Sequence, residues 1–145
     1  MRVKDCMTND VRIADPDQTL QEAAQVMARL DAGVMPVGEN DRLVGMITDR
    51  DIAVRGVAEG KGPDARVREV MSTDVKYCFD DEEVDDVLHK MGEQQVRRLP
   101  VLNRDKRLIG IVSIGDLART GETAETGEAL SGISMPGGHH SQTAQ

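Results

Sequence analysis

The chain has 145 residues, with 18 Lys and Arg against 26 Asp and Glu, a net charge of −8 and a pI near 4.8. That acidity, with one Tyr, one Phe and no Trp, excludes the basic, base-stacking face that nucleic acids need. No apolar run reaches the roughly 18 residues of a membrane span, and Met1-Arg2-Val3-Lys4-Asp5 lacks the apolar core of a signal peptide, so the expected location is cytoplasmic, with no membrane partner.

In chain order, a short apolar stretch with Val11 and Ile13 predicts a strand. Leu20, Ala23, Ala24, Met27 and Leu30 then fall on one face of a 3.6-residue period and predict a helix. Two short strands follow, "VMPV" and "RLVGMIT", joined by the turn chemistry of Gly38-Glu39-Asn40-Asp41. A second helix is expected from near Asp49. The polar, glycine-rich "GVAEGKGPDAR" after it predicts a linker. The same order then returns. Val84, Val87, Leu88 and Met91 have helical spacing, and Asp80, Asp81, Glu82 and Glu83 stand where negative charge suits a helix N-terminus. "RLPVL" and "RLIGIVS" flank Asn103-Arg104-Asp105-Lys106, and a helix is expected near Gly115. Beyond it the pattern dissolves into Gly, Ser, Thr and Glu. Residues 121–145 read as a flexible tail, with room for a short helix over 122–131.

The return is a repeat. "VKDCMTNDV" (3–11) aligns with "VREVMSTDV" (67–75), and the same offset pairs Met27 with Met91, Pro36 with Pro100 and Val37 with Val101. After a one-residue insertion, Gly45 pairs with Gly110, Thr48 with Ser113 and Asp51 with Asp116. The expected class is α/β of the α+β kind, two β-α-β-β-α repeats over 1–57 and 67–120, with a linker at 58–66 and the tail at 121–145. A unit of this size buries too little surface to be comfortable alone, so two units sharing a core are expected.

Duplication explains the matched apolar positions without any ligand. It leaves open why a hydroxyl followed by an aspartate three residues on appears twice where a strand gives way to a helix. One answer is capping, with Thr48, Asp49 or Ser113 satisfying first-turn amides. The other is a nucleotide. A helix N-terminus and a hydroxyl suit phosphate, and a carboxylate one turn in can accept from a ribose diol. Arg97 and Arg98 precede a strand and suit bidentate phosphate contact, or else they neutralise nearby acids. Repeat 1 has Gly33 and Val34 at that place.

The opening "V-x-D-x-M-T" and "V-x-E-x-M-S", the central "M-P-V" and "L-P-V", and the closing "G-M-I-T-D-R-D-I" and "G-I-V-S-I-G-D-L" resemble the cystathionine-beta-synthase (CBS) domain family. Residues 1–119 resemble one tandem pair of such domains, a Bateman module, of the kind found in small stand-alone bacterial proteins, some associated with stress. The resemblance implies two repeats related by pseudo-two-fold symmetry and a homodimer. It implies clefts that bind AMP, ADP, ATP, NAD or S-adenosylmethionine in a regulatory role, with no required cofactor and with a protein effector still to be identified. It implies that Asp51 and Asp116 hold ribose, and that Thr48, Ser113, Arg50, Arg97 and Arg98 lie by phosphate and ribose. It also implies that Asp10, Val11, Arg12, Met35, Pro36, Asp74, Val75, Lys76, Leu99 and Pro100 surround adenine. A structural or interaction module with vestigial clefts is the alternative.

Nothing in the pattern predicts catalysis and no metal site is assigned, while a metal-responsive stress protein using the tail histidines or the cysteines is a third reading. His89 sits mid-helix without an evident partner, His139 and His140 lie in the tail, and the acids from Asp80 to Asp86 read as a solvated helix start. Cys6 and Cys78 read as free, partly buried thiols, with a disulfide as the alternative. The methionines, Met7, Met27, Met71 and Met91 among them, read as core.

Overall fold

In the computed structural model, which describes residues 1–9, 11–119 and 123–135, the periodic run after Thr19 forms helix α1 (Leu20–Leu30). Asp10, His139 and His140 lie outside the described residues. A capping box starts α1. Glu22 N–H donates to Thr19 Oγ1 at 3.1 Å and Thr19 N–H donates to Glu22 Oε1 at 3.1 Å. The Thr19 N–H and then the Thr19 hydroxyl, both donating to Glu22 Oε1, hold the Glu22 carboxyl below the usual carboxylate range. Leu20, Ala23 and Met27 are buried, whereas Ala24 and Leu30 are exposed. The core-facing stripe is therefore narrower than the period predicted. The helix stops where Asp31 turns left-handed at φ 52°, with Ala32 N–H on the Met27 carbonyl.

Strands β1 (Val34–Glu39) and β2 (Arg42–Thr48) form an antiparallel hairpin. Its turn residues Asn40 and Asp41 both have positive φ, the primed-turn geometry that matches strand twist. Helix α2 (Asp49–Asp51) follows and runs on into a π-helical turn at Ile52–Gly56. The second repeat reproduces this order. It has β3 (Cys78–Phe79), α3 (Val84–Gln94), β4 (Arg98–Leu102), β5 (Leu108–Ser113) and α4 (Ile114–Ala118). Gln95, at φ 56°, ends α3 as Asp31 ends α1, and both hairpins carry a register shift after a matched valine, Val37 and Val101. The mixed α+β class is the expected one.

The leading strand is much reduced. Residues 11–13 are irregular, and only Ala14 bridges β1, in parallel with Val37. Pro16 lacks an N–H, and Asp15, Asp17 and Gln18 fold into a local turn, with Asp17 N–H on Asp15 Oδ1 at 2.8 Å and Asp15 N–H on Gln18 Oε1 at 2.8 Å. In the second repeat only Cys78 and Phe79 pair, with Val101 and Leu102.

The chain divides into two compact units, and each borrows its neighbour's opening segment. Arg12–Val75 forms one, and Met1–Val11 with the chain from Lys76 forms the other. In the first, Val67 is fully buried, its N–H donates to the Gln18 carbonyl at 2.9 Å, and Ser72 bridges Met46. In the second, Val3 is fully buried, its N–H donates to the Glu82 carbonyl at 3.0 Å, and Thr8 bridges Ile111. Around 58–66 the chain does structural work too. The Ala65 and Pro63 carbonyls accept the otherwise orphaned Leu20 and Gln21 N–H groups at the start of α1.

Beyond α4, where a flexible tail or a short helix over 122–131 was expected, helix α5 (Thr123–Ile133) packs on α3. Small residues, glycine and alanine, make the contact. A Cβ on Gly132 would stand 2.6 Å from the Gly92 carbonyl oxygen, and one on Gly92 would stand 3.0 Å from Ala129 Cα. Ala129 and Ile133 are buried there, and Gln95 Nε2 donates to the Gly132 carbonyl at 3.0 Å and to the Met135 carbonyl at 3.3 Å.

Candidate functional site

The two hydroxyl–aspartate pairs form matched polar elbows at the ends of β2 and β5. At the first, Asp51 N–H donates to Thr48 Oγ1 at 2.9 Å and Thr48 N–H donates to Asp51 Oδ2 at 3.0 Å. At the second, Asp116 N–H donates to Ser113 Oγ at 3.1 Å and Ser113 N–H donates to Asp116 Oδ2 at 3.0 Å. Both are capping boxes, so the capping role weighed for these residues is present in the structure. Each carboxylate keeps its other oxygen toward an arginine. Asp51 Oδ1 lies 4.0 Å from Arg55 Nη1, and Asp116 Oδ1 accepts from Arg119 Nη2. The two carboxylates are 17% and 16% exposed, enough to be reached from solvent.

What flanks the elbows differs. Asp49 N–H donates to the Gly33 carbonyl at 2.9 Å, and its counterpart Ile114 N–H donates to the Arg97 carbonyl at 2.8 Å. Gly33 and Arg97 thus hold the same place. A Cβ on Gly33 would stand 3.0 Å from Asp49 Oδ2, so the Asp49 carboxylate covers that glycine and also accepts Arg50 N–H at 2.8 Å. At the second elbow Arg98 stands opposite Ser113 in the β4–β5 register, and Arg97 and Arg98 are exposed. Arg50 is exposed beside the first elbow. Sequence reasoning named Asp49 as a possible cap and Gly33 as the counterpart of Arg97, but did not bring the two together. The signal was the alignment of Asp49 with Ile114, one carboxylate against one apolar side chain.

The other predicted residues take matched places in the two units. Met35 and Leu99 are core, at 3% and 1% exposure, and pair across their hairpins with Ile47 and Val112. Pro36 and Pro100 are buried beside them, and the Pro36 carbonyl accepts Ala14 N–H at 2.9 Å. Exposed Arg12 precedes Ala14 at one edge of that sheet, while Asp74 and Val75 follow Ser72 at the other. Lys76 leads into β3, and Val11 follows Thr8 at the β5 edge.

Burial pushes the Cys78 thiol up to about 12. Cys6 is also raised, by burial first and then by the Asp116 and Asp5 carboxylates, which places it in the field of the second elbow. Both cysteines are free thiols. His89 is exposed and pairs with Glu93 at 3.0 Å. Asp81 is held by Arg104 and Glu82 by Lys90, and among the described residues no group of three or more His, Cys, Asp or Glu is set to hold a metal.

The CBS domain model matches residues 3–56 and again residues 67–122. CBS domain-containing protein YhcV of Bacillus subtilis is 43% identical over 133 residues, 91% of this chain and 94% of its own. Among solved structures, Hypoxic Response Protein I with two coordinated zinc ions matches with a TM-score of 0.75 at 39% identity, over 82% of this chain and 98% of its own. The CBS domain pair of protein MJ0100, in complex with 5′-methylthioadenosine and S-adenosyl-L-methionine, matches with a TM-score of 0.73 at 28% identity, over 86% of this chain and 98% of its own. No helix among the described residues is long and apolar enough to cross a membrane.

Proposed function

Because the chain belongs to the CBS domain family, we propose that it is a non-catalytic regulatory module that binds adenosine-containing ligands at its two polar elbows. The observation that carries this is the presence of two matched, solvent-reachable aspartates, Asp51 and Asp116, at strand-to-helix elbows of a fold shared with a CBS pair that holds two adenosine derivatives. AMP, ADP, ATP and NAD are the candidate ligands. Asp51 and Asp116 would accept from ribose hydroxyls, and the arginines would meet phosphate. The module would act in the cytoplasm as a homodimer. Ligand would report to a protein effector by favouring one arrangement of the chain over another through differential affinity.

The test is thermal unfolding against AMP, ADP, ATP, NAD and S-adenosylmethionine. A ligand at about 100 times its dissociation constant stabilises by roughly 2.7 kcal/mol. A shift lost in Asp51→Ala or Asp116→Ala supports the sensor. The closed capping boxes favour a second reading, a scaffold or interaction module whose elbows serve only the fold. No shift with any ligand at millimolar concentration would select it.

A further inference from the structure

Gly33 and Arg97 are equivalent by hydrogen bonding, yet they face opposite electrostatics. At the first elbow every first-turn amide already has an acceptor. Asp49 N–H has the Gly33 carbonyl, Arg50 N–H has the Asp49 carboxylate and Asp51 N–H has Thr48 Oγ1. The carboxylate lies over Gly33, the position where repeat 2 carries the Arg97 guanidinium. Asp49 and Asp51 there balance Arg50 and Arg55. At the second elbow Ile114 brings no charge, and Gly115 N–H has no acceptor among the described residues. Arg97 and Arg98 are exposed, without a side-chain partner among the described residues, and with Arg119 they outnumber Asp116. A Cβ on Gly115 would meet only Ser113 Oγ, at 3.6 Å, so a ligand can come close to that backbone.

Resting on the adenosine-binding function above, we propose that the two elbows sort nucleosides by the charge of the 5′ substituent. The Ser113–Asp116 elbow takes phosphorylated nucleosides, with Arg97 and Arg98 as donors to phosphate oxygens. The Thr48–Asp51 elbow takes nucleosides whose 5′ substituent is uncharged or cationic. Asp49 is the specificity-determining residue there. Its carboxylate repels a phosphate, attracts a cation and occupies the amide that a phosphate would otherwise use.

Calorimetric titration of the full chain with AMP and with 5′-methylthioadenosine tests this. AMP is expected to fill a single elbow per chain, to bind in Asp51→Ala, and to be lost in Asp116→Ala and in the double variant Arg97→Ala, Arg98→Ala. The thioether nucleoside is expected to survive Asp116→Ala and to lose a site in Asp51→Ala. Asp49→Ala is expected to tighten AMP at the first elbow by about tenfold or more, opening a second AMP site. Asp49 is exposed, so this variant spares the core, and Asp49→Asn separates charge from the occupied amide. AMP filling both elbows of the native chain, AMP that depends on Asp51 rather than Asp116, or no change in AMP binding on Asp49→Ala would overturn the sorting and leave adenosine binding standing. Failure of both ligands to bind would overturn the sorting, and silence of ADP, ATP, NAD and S-adenosylmethionine as well would overturn adenosine binding with it.

Discussion

A Cβ built on Gly110 stands 2.6 Å from the carbonyl oxygen of Thr8, because Thr8 lies directly across β5 and exchanges hydrogen bonds with Ile111 at 2.9 and 3.1 Å. Gly45 meets the same demand from the other repeat's opening, with Met71 Sδ and the Ser72 carbonyl oxygen each 2.8 Å from its Cβ position. The glycine of "GMIT" and "GIVS" and the Met-Thr or Met-Ser of each opening are therefore two sides of one contact. Gly110→Ala is expected to cost roughly 1–3 kcal/mol by overpacking against backbone. Urea unfolding measures the cost, and hydrogen exchange is expected to show residues 3–8 losing protection first. Wild-type stability in this variant would mean the opening segment is not anchored there.

The elbow aspartates cap helices as well as offering an oxygen to solvent. Thr48→Ala and Ser113→Ala are each expected to destabilise the ligand-free chain by about 0.5–2 kcal/mol, and the aspartate substitutions similarly. Ligand effects in these variants must be taken as shifts from each variant's own midpoint. Equal ligand-free midpoints for wild type and Ser113→Ala would show that the cap contributes nothing.

Cys78 links stability to alkaline pH. Its folded thiol is pushed up to about 12, against an ordinary value of 9.0, so above pH 9 the unfolded chain releases a proton that the folded chain keeps. Stability from this group is complete below pH 9 and falls as pH rises toward 12, by up to about 1.4 kcal/mol per pH unit. Denaturant midpoints are expected to drop more steeply between pH 9 and 11 in the native protein than in Cys78→Ala. At neutral pH a thiol reagent should modify Cys6 before Cys78, which should react only on unfolding.

Helix α5 has a glycine contact that a single side chain can break. Gly132→Leu places its Cβ against the Gly92 carbonyl, so α5 is expected to lift from α3 and uncover the core around Ala129. Amide exchange over 123–133 should approach that of an unprotected segment, and the chain should lose roughly 1–3 kcal/mol. Retained protection in Gly132→Leu would mean that Ile133 and Ala129 suffice to seat the helix.

The repeat, the helices with strong periodicity, both hairpins and both polar elbows were legible from residue order, because each depends on near neighbours. Thr19 and Glu22, Asn40 and Asp41, and Thr48 and Asp51 meet within one turn of chain. The leading strand was overestimated because Val11 and Ile13 satisfy a strand pattern while Pro16 and the turn at Asp15 end the pairing after Ala14. Leu30 matched the helical period yet is 46% exposed, because it is the last residue of the helix and Asp31 turns the chain away directly after it.

By itself the sequence determined the duplication, the α+β class, the acidic surface and the identity of the paired hydroxyl and carboxylate residues. Only the tertiary structure decided that each repeat's opening serves the other repeat's unit, that Gly92 and Gly132 seat α5 against α3, and that Asp49 covers Gly33 where Arg97 is exposed. Those are meetings between segments far apart in the chain. Their geometry is set by how close two backbones can come, and residue order records that only as a glycine.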